Sequence, residues 1–192
     1  MKIRSFLVIF AMSSLLHSEE NFGIVVHGGA GVMSGLSEER QQQIHKKIQE
    51  TVSEAYEILE KGGSSLDAVE LAVSMLEDSP LFNAGRGSVY NSDEVQEMDA
   101  SIMDGKNRLT GAVASVSIVK NPIKLARKVA EETKHVLLVG EGAERFAKDI
   151  GVDIVKRNYF YHEERLKRLN NSKRKTSKSV SYTHLTLPTK VT

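Results

Sequence analysis

The chain of 192 residues has no cysteine and no tryptophan, only three prolines, and 6% aromatic residues. Without cysteine there can be no disulfide, thiolate metal site, thiol nucleophile or lipidated N-terminal Cys, so any nucleophile must be an oxygen or a nitrogen. Charge of one sign is also lacking, since 26 Lys and Arg stand against 25 Asp and Glu for a formal net charge of +1. Such a balance supplies no overall field for nucleic acid or an anionic membrane and argues against a dedicated binder of either. The six histidines, His17, His27, His45, His135, His162 and His184, form no H-x-x-x-H or H-E-x-x-H pair, so zinc has no support in the sequence. P-loop, dinucleotide-binding and G-x-S-x-G patterns are absent, as are internal repeats and heptads. What remains, 40% hydrophobic and 27% charged residues, is ordinary globular composition in a length that suits one domain with a proper core.

The two ends differ from the middle. Residues 1–18 have the layout of a signal peptide: Lys2 and Arg4, then an apolar run from Ser5 to Leu16, then small residues at Ser14 and Ser18. That run is too short to span a bilayer. The competing reading is a buried strand at Phe6–Phe10, but a polar Ser-Glu-Glu-Asn break follows at once. An exported product, periplasmic or secreted and without a membrane segment after cleavage, is therefore expected. Near the other end, residues 165–179 are rich in Lys, Arg, Asn and Ser with no interleaved aromatics, which reads as a solvated, disordered basic linker. Residues 180–192 change character again, and Val180–Thr189 resembles the conceptual translation of a sequencing adapter. The expectation is a non-native tail on a protein that naturally continues.

Between the ends, the pattern places helices beside helices across Gly62-Gly63 and strands beside strands through a hairpin, rather than alternating them strictly. The apolar run Phe22–Val26 reads as a buried strand entering the loop His27-Gly28-Gly29-Ala30-Gly31. Ser37 precedes Glu38 and Glu39, and Ile44, Ile48, Val52, Ala55 and Leu59 recur at helical spacing until Gly62-Gly63. Ser64 and Asp67 fit a capping box for a second helix with Leu66, Val69, Val73 and Leu76 on one face. A loop over 81–91 leads to a strand at Met98–Met103, an Asp104-Gly105 turn and a long strand over 109–119. The small residues Ala112 and Ala114 in that strand predict close-packed layers on both of its faces. Asn121-Pro122 starts a helix through Lys134, a strand follows at His135–Val139, and a short helix spans Gly142–Ile150. The fold class expected is layered α/β (α+β) rather than a Rossmann fold.

Taken singly, the polar residues leave alternatives open. The 27–31 loop could cradle an anion, form an oxyanion hole or simply turn the chain. His27 could be a general base or a hydrogen-bonded structural residue. Asp99 and Asp104 could pair as acid and base, although the Asp104-Gly105 turn accounts for one of them and is the preferred reading.

In order along the chain, His27–Gly31, Leu76–Gly87, Met98–Gly105, Thr110–Ala114 with Lys120-Asn121-Pro122, and His135–Glu144 resemble the N-terminal half of plant-type L-asparaginase/isoaspartyl peptidase. The resemblance covers about Phe22 to Leu169, and 19–164 becomes an α-subunit-like region. It implies an αββα sandwich of the N-terminal-nucleophile hydrolases, incomplete in this chain. In that family a precursor cleaves itself, and the exposed Thr becomes both nucleophile and, through its α-amine, base. The substrate is then asparagine, giving aspartate and ammonia, or an isoaspartyl peptide, and the assembly a homo-oligomer of α/β pairs.

The family's nucleophile lies in a Gly-Thr-Val-Gly segment that this chain does not contain. No catalytic residue is therefore assigned here, Thr110 included, because its surroundings match an internal strand. The C-terminal β-subunit half is the missing partner. Support positions carry over by match: Asn83 toward the nucleophile, and His27, Gly28, Gly29 and Gly31 beside the cleavage site. The backbone carbonyls of Leu76, Glu77, Ser79, Phe82, Ala84 and Arg86 match a sodium-binding loop, and no organic cofactor is implied. The alternative is a genuine short, non-catalytic α-like binding protein. A related glycosylasparaginase or threonine endopeptidase should differ in the Leu81–Gly85 block.

Overall fold

A computed structural model describes residues 22–29 and 35–178. The expected signal peptide 1–18, the 180–192 tail and Gly31 lie outside them. Helix α1 (Glu38–Glu60) begins where Ser37 accepts the Arg40 N–H, with Glu38 and Glu39 in its first turn. Helix α2 (Ser65–Glu77) begins with a complete Ser64/Asp67 capping box. Ala55 of α1 packs on Ala68 and Ala72 of α2, with Ile58 and Leu59 beside them. Residues this small let the two helices lie close.

Strand β1 (Met98–Met103) pairs antiparallel with β2 (Thr110–Val116), and β2 pairs parallel with β3 (Leu137–Val139). Helix α3 (Pro122–Glu132) makes the crossover between β2 and β3, and α4 (Gly140–Asp149) follows β3. The main core lies on one face of this sheet, where Met98, Ile102, Val113 and Val116 meet Ile123, Ala126 and Val129 of α3 and Ala143 and Ala147 of α4. At Gly111, a Cβ would lie 2.1 Å from the Ala126 carbonyl oxygen and 2.5 Å from the Ala130 nitrogen. Glycine here sets how near the helix can approach.

Four expectations are corrected. Phe22–Val26 is not a strand: it runs without a sheet partner among the described residues, although Ile24 and Val26 pack against the α1–α2 cluster and Phe22 stacks on Tyr56 at 5.3 Å. Its short apolar run was strand-like, but a strand also needs a neighbour. The basic stretch is not an irregular linker, because 163–178 forms helix α5 (Glu163–Lys178). Glu163 and Glu164 open that helix favourably, and its Lys, Arg and Leu residues are good helix formers. The sheet around β2 is more open on one face than expected: opposite the core, Ala112 and Ala114 are only half-buried, and beside them Met103 of β1 and Leu137 and Val139 of β3 are 60%, 51% and 54% exposed. The strand over 109–119 is also shorter than expected, and Ser115 sits in a bulge at φ +52°. Among the described residues, no helix is long and apolar enough to cross a membrane.

Arg127 of α3 ties the helical layer together by bonding Asp67 at 2.7 Å, Glu70 at 3.2 Å and Glu131 at 2.7 Å. Two predictions follow from this packing. Gly111→Ala should lower stability by about 3 kcal/mol, read as a lower urea midpoint with an unchanged slope, since backbone atoms cannot yield to the added methyl. The Ser64 hydroxyl and then Arg127 hold the Asp67 carboxyl below its usual range. Its contribution is therefore present above the unfolded value of about 3.9 and lost as pH falls through the lower folded value. Unfolding titrations should find wild type more stable than Asp67→Asn at neutral pH, with the gap closing in acid.

Candidate functional site

The segment after α2 is shaped by carbonyls and glycines rather than by charged side chains. The Ser79 and Gly87 N–H groups donate to the carbonyls of Leu76 (3.2 Å) and Ala84 (2.9 Å). Among the described residues, no hydrogen bond reaches the carbonyls of Glu77, Ser79, Phe82 or Arg86. Two of these press on glycines: a Cβ on Gly85 would lie 2.1 Å from the Glu77 oxygen, and one on Gly87 2.0 Å from the Phe82 oxygen. Gly85 has φ +47°, and with Arg86 and Gly87 it forms a 3-10 turn. The turn is pinned by Ser88, whose Oγ donates to the Gly85 carbonyl, and by buried Gln96, whose Nε2 donates to Ser88. Arg86 sends its guanidinium over the Tyr159 ring at 5.4 Å, leaving only its backbone in the loop.

Neutral oxygen donors freed of N–H partners are the chemistry a hard cation requires. No group of three or more acidic, His or Cys side chains converges on one point among the described residues, so a cation site would have to use such carbonyls. Of the six carbonyls of 76–86, those of Glu77, Ser79, Phe82 and Arg86 meet that requirement, whereas those of Leu76 and Ala84 already accept an N–H and would have to use their second lone pair.

The two blocks singled out in the sequence lie side by side. A Cβ on Gly28 would come within 3.1 Å of the Phe82 ring and 3.0 Å of Ile48, so the loop after residue 26 rests on the carbonyl loop. His27 is exposed and its Nδ1 accepts the Gly29 N–H at 3.1 Å. With φ +101°, Gly29 makes the local turn that glycine tolerates. Asn83 is exposed, and its Oδ1 accepts the Val89 N–H at 2.9 Å. With Oδ1 so engaged, Nδ2 is the group the Asn83 amide has to donate. His27, Gly28, Gly29 and Asn83 thus share one region.

Asp99 and Asp104 are not a catalytic pair. Asp99 accepts the Ser115 N–H at 2.8 Å and fills the bulge between β1 and β2, while Asp104 accepts from Lys106 within the turn.

One buried acid escaped the sequence reading except as a carbonyl ligand. Glu77 is 3% exposed, and its Oε1 accepts the Ile123 N–H at 3.0 Å. It thereby caps α3 from a distant helix, and Asn121, the residue at the cap position, bonds Asp78 instead. Burial pushes the Glu77 carboxyl up to about 7, opposed by the Ile123 N–H. The only signal was an acid at the end of an apolar helical face. A second such tie joins Glu144 of α4 to the N–H and hydroxyl of Ser117.

Gly85→Ala should cost about 3 kcal/mol in denaturant unfolding, because it meets backbone at a positive φ. Gly105→Ala, whose Cβ would meet nothing within 4 Å, should change stability by less than about 0.5 kcal/mol.

Residues 20–191 match the family described as asparaginase. The isoaspartyl peptidase/L-asparaginase of Rattus norvegicus is 53% identical over 129 residues, covering 67% of this chain and 38% of that protein. For the human protein of the same name, identity is 46% over 150 residues, 78% of this chain and 48% of the other. The plant-type L-asparaginase of Pyrococcus furiosus is 56% identical over 128 residues, 67% of this chain and 41% of the other. The chain spans less than half the length of these curated relatives.

Proposed function

Because this chain belongs to the asparaginase family, one of N-terminal-nucleophile hydrolases, we propose that it is the α-like half of a self-processing amidohydrolase. The whole protein acts on L-asparagine, on isoaspartyl peptides, or on both. The observation that carries the reading is the unfinished α/β layer. One sheet face is open, with the apolar Met103, Leu137 and Val139 exposed beside Asp99 and Ser101, and the extended 22–28 segment has no backbone partner among the described residues. A second sheet from a β-like half, stacked on that face, would complete an αββα sandwich.

In the complete protein, self-cleavage frees the amine of a Thr. That amine takes the proton of its own hydroxyl as the oxygen attacks the side-chain amide carbon. Ammonia or the downstream peptide leaves, and water then releases aspartate from the ester. Asn83 Nδ2 and the 27–29 turn would position that Thr, and the 76–86 carbonyls would hold a sodium ion that keeps the loop in shape. The chain alone, without a Gly-Thr-Val-Gly segment, would be inactive. Export through residues 1–18 and assembly of α/β pairs belong to the same reading.

Expression of the gene with everything downstream of codon 170 tests it. The product should split into two polypeptides, the second starting with Thr by N-terminal sequencing, and should release ammonia from asparagine or cleave an isoaspartyl dipeptide. Replacing that Thr by Ala should abolish cleavage and lower turnover on the order of 1000-fold or more. A product that stays whole and inactive, or a gene that ends at Thr192, would contradict the reading and favour a non-catalytic binding protein.

A further inference from the structure

Glu77 serves two structures at once. Its backbone lies in the carbonyl loop, where Gly85 sits so near that a Cβ would be 2.1 Å from the Glu77 oxygen and 2.8 Å from its Cα. Its side chain leaves that loop, is buried, and ends on the Ile123 N–H at the start of α3. The adjacent Asp78 takes the side chain of Asn121, the residue before α3. Residues 77 and 78 are thus both fastened to one helix start, which fixes how the Glu77 carbonyl leaves the chain. For capping alone, a carboxylate is a costly choice, since Glu77 Oε2 is buried with no partner among the described residues. The positive end of α3 offsets part of that cost.

We propose that Glu77 is a positioning residue for the cation loop: its side-chain bond to Ile123 orients the carbonyls, so that cation binding and the docking of α3 reinforce each other. This rests on the sodium reading of the 76–86 loop given above.

The test is thermal unfolding of the full-length gene product in sodium chloride or choline chloride at equal ionic strength, choline being too large for a ring of carbonyls. Wild type should be stabilised by sodium in a saturable way. Glu77→Ala should raise the sodium concentration for half the effect by on the order of tenfold, in line with the loss of a buried hydrogen bond. Glu77→Gln, which keeps an oxygen for Ile123, should restore it to within about threefold. If Glu77→Ala fails to fold, Glu77→Asp, shorter by a methylene, takes its place in the comparison. A purely structural role would lower the melting temperature equally in both salts and leave the sodium midpoint unmoved, which would overturn the inference but not the cation reading. Indifference of wild type to sodium would overturn the cation reading itself, and this inference with it.

Discussion

The bond between Glu77 and the Ile123 N–H joins the helical layer to the sheet layer, and much of the architecture depends on it. α2 belongs with α1 through Ala55, Ala68 and Ala72, whereas α3 belongs with the sheet through Gly111, Val113 and Val116. Where α2 ends, the chain must turn away into the carbonyl loop, and where α3 starts, Pro122 leaves the next N–H groups in need of acceptors. One carboxylate meets both needs. Arg127 repeats the tie farther along α3 by reaching Asp67 and Glu70. The two contacts hold α3 at both levels against α2.

This attachment makes the sheet one-sided. α3 and α4 cover the face carrying Ile102 and Val113, and nothing described covers the face carrying Met103, Leu137 and Val139. Exposed apolar strands invite association, and the sequence offers them no polar alternation on β3. The same incompleteness marks the 22–28 segment, where Ile24 and Val26 are docked but Val25 is 96% exposed and the backbone groups find no partner among the described residues. The second half proposed above would account for both features; the chain spans less than half the length of the curated relatives it matches.

The helices were legible because their signals are local: Ser37 before paired glutamates, and the Ser64/Asp67 box. The β1 and β2 strands were legible from the Asp104-Gly105 turn between them. Phe22–Val26 was misjudged for the converse reason, since a short apolar run says nothing about whether a partner strand exists. The basic stretch from Arg165 was misjudged because composition was weighed above helix propensity and above the acids that open α5. Of the candidate site, the glycines and carbonyl positions could be named from the block 76–87. The Glu77 cap could not, because a bond spanning 46 residues has no trace in local spacing. Asp99 likewise looked available for chemistry until the Ser115 bulge claimed it.

In the proposed function, residues 22–28 and the open sheet face await a second half of the same protein. Amide hydrogen exchange on the full-length gene product tests it directly. Ile24 and Val26, whose N–H groups share one edge of the extended segment, or Val25 on the other edge, should exchange as slowly as the paired amides of β1 and β2, because a strand from the second half has taken up the N–H groups of that edge. Exchange of those three amides at the rate of an unstructured chain, alongside protected β1 and β2 amides, would contradict it.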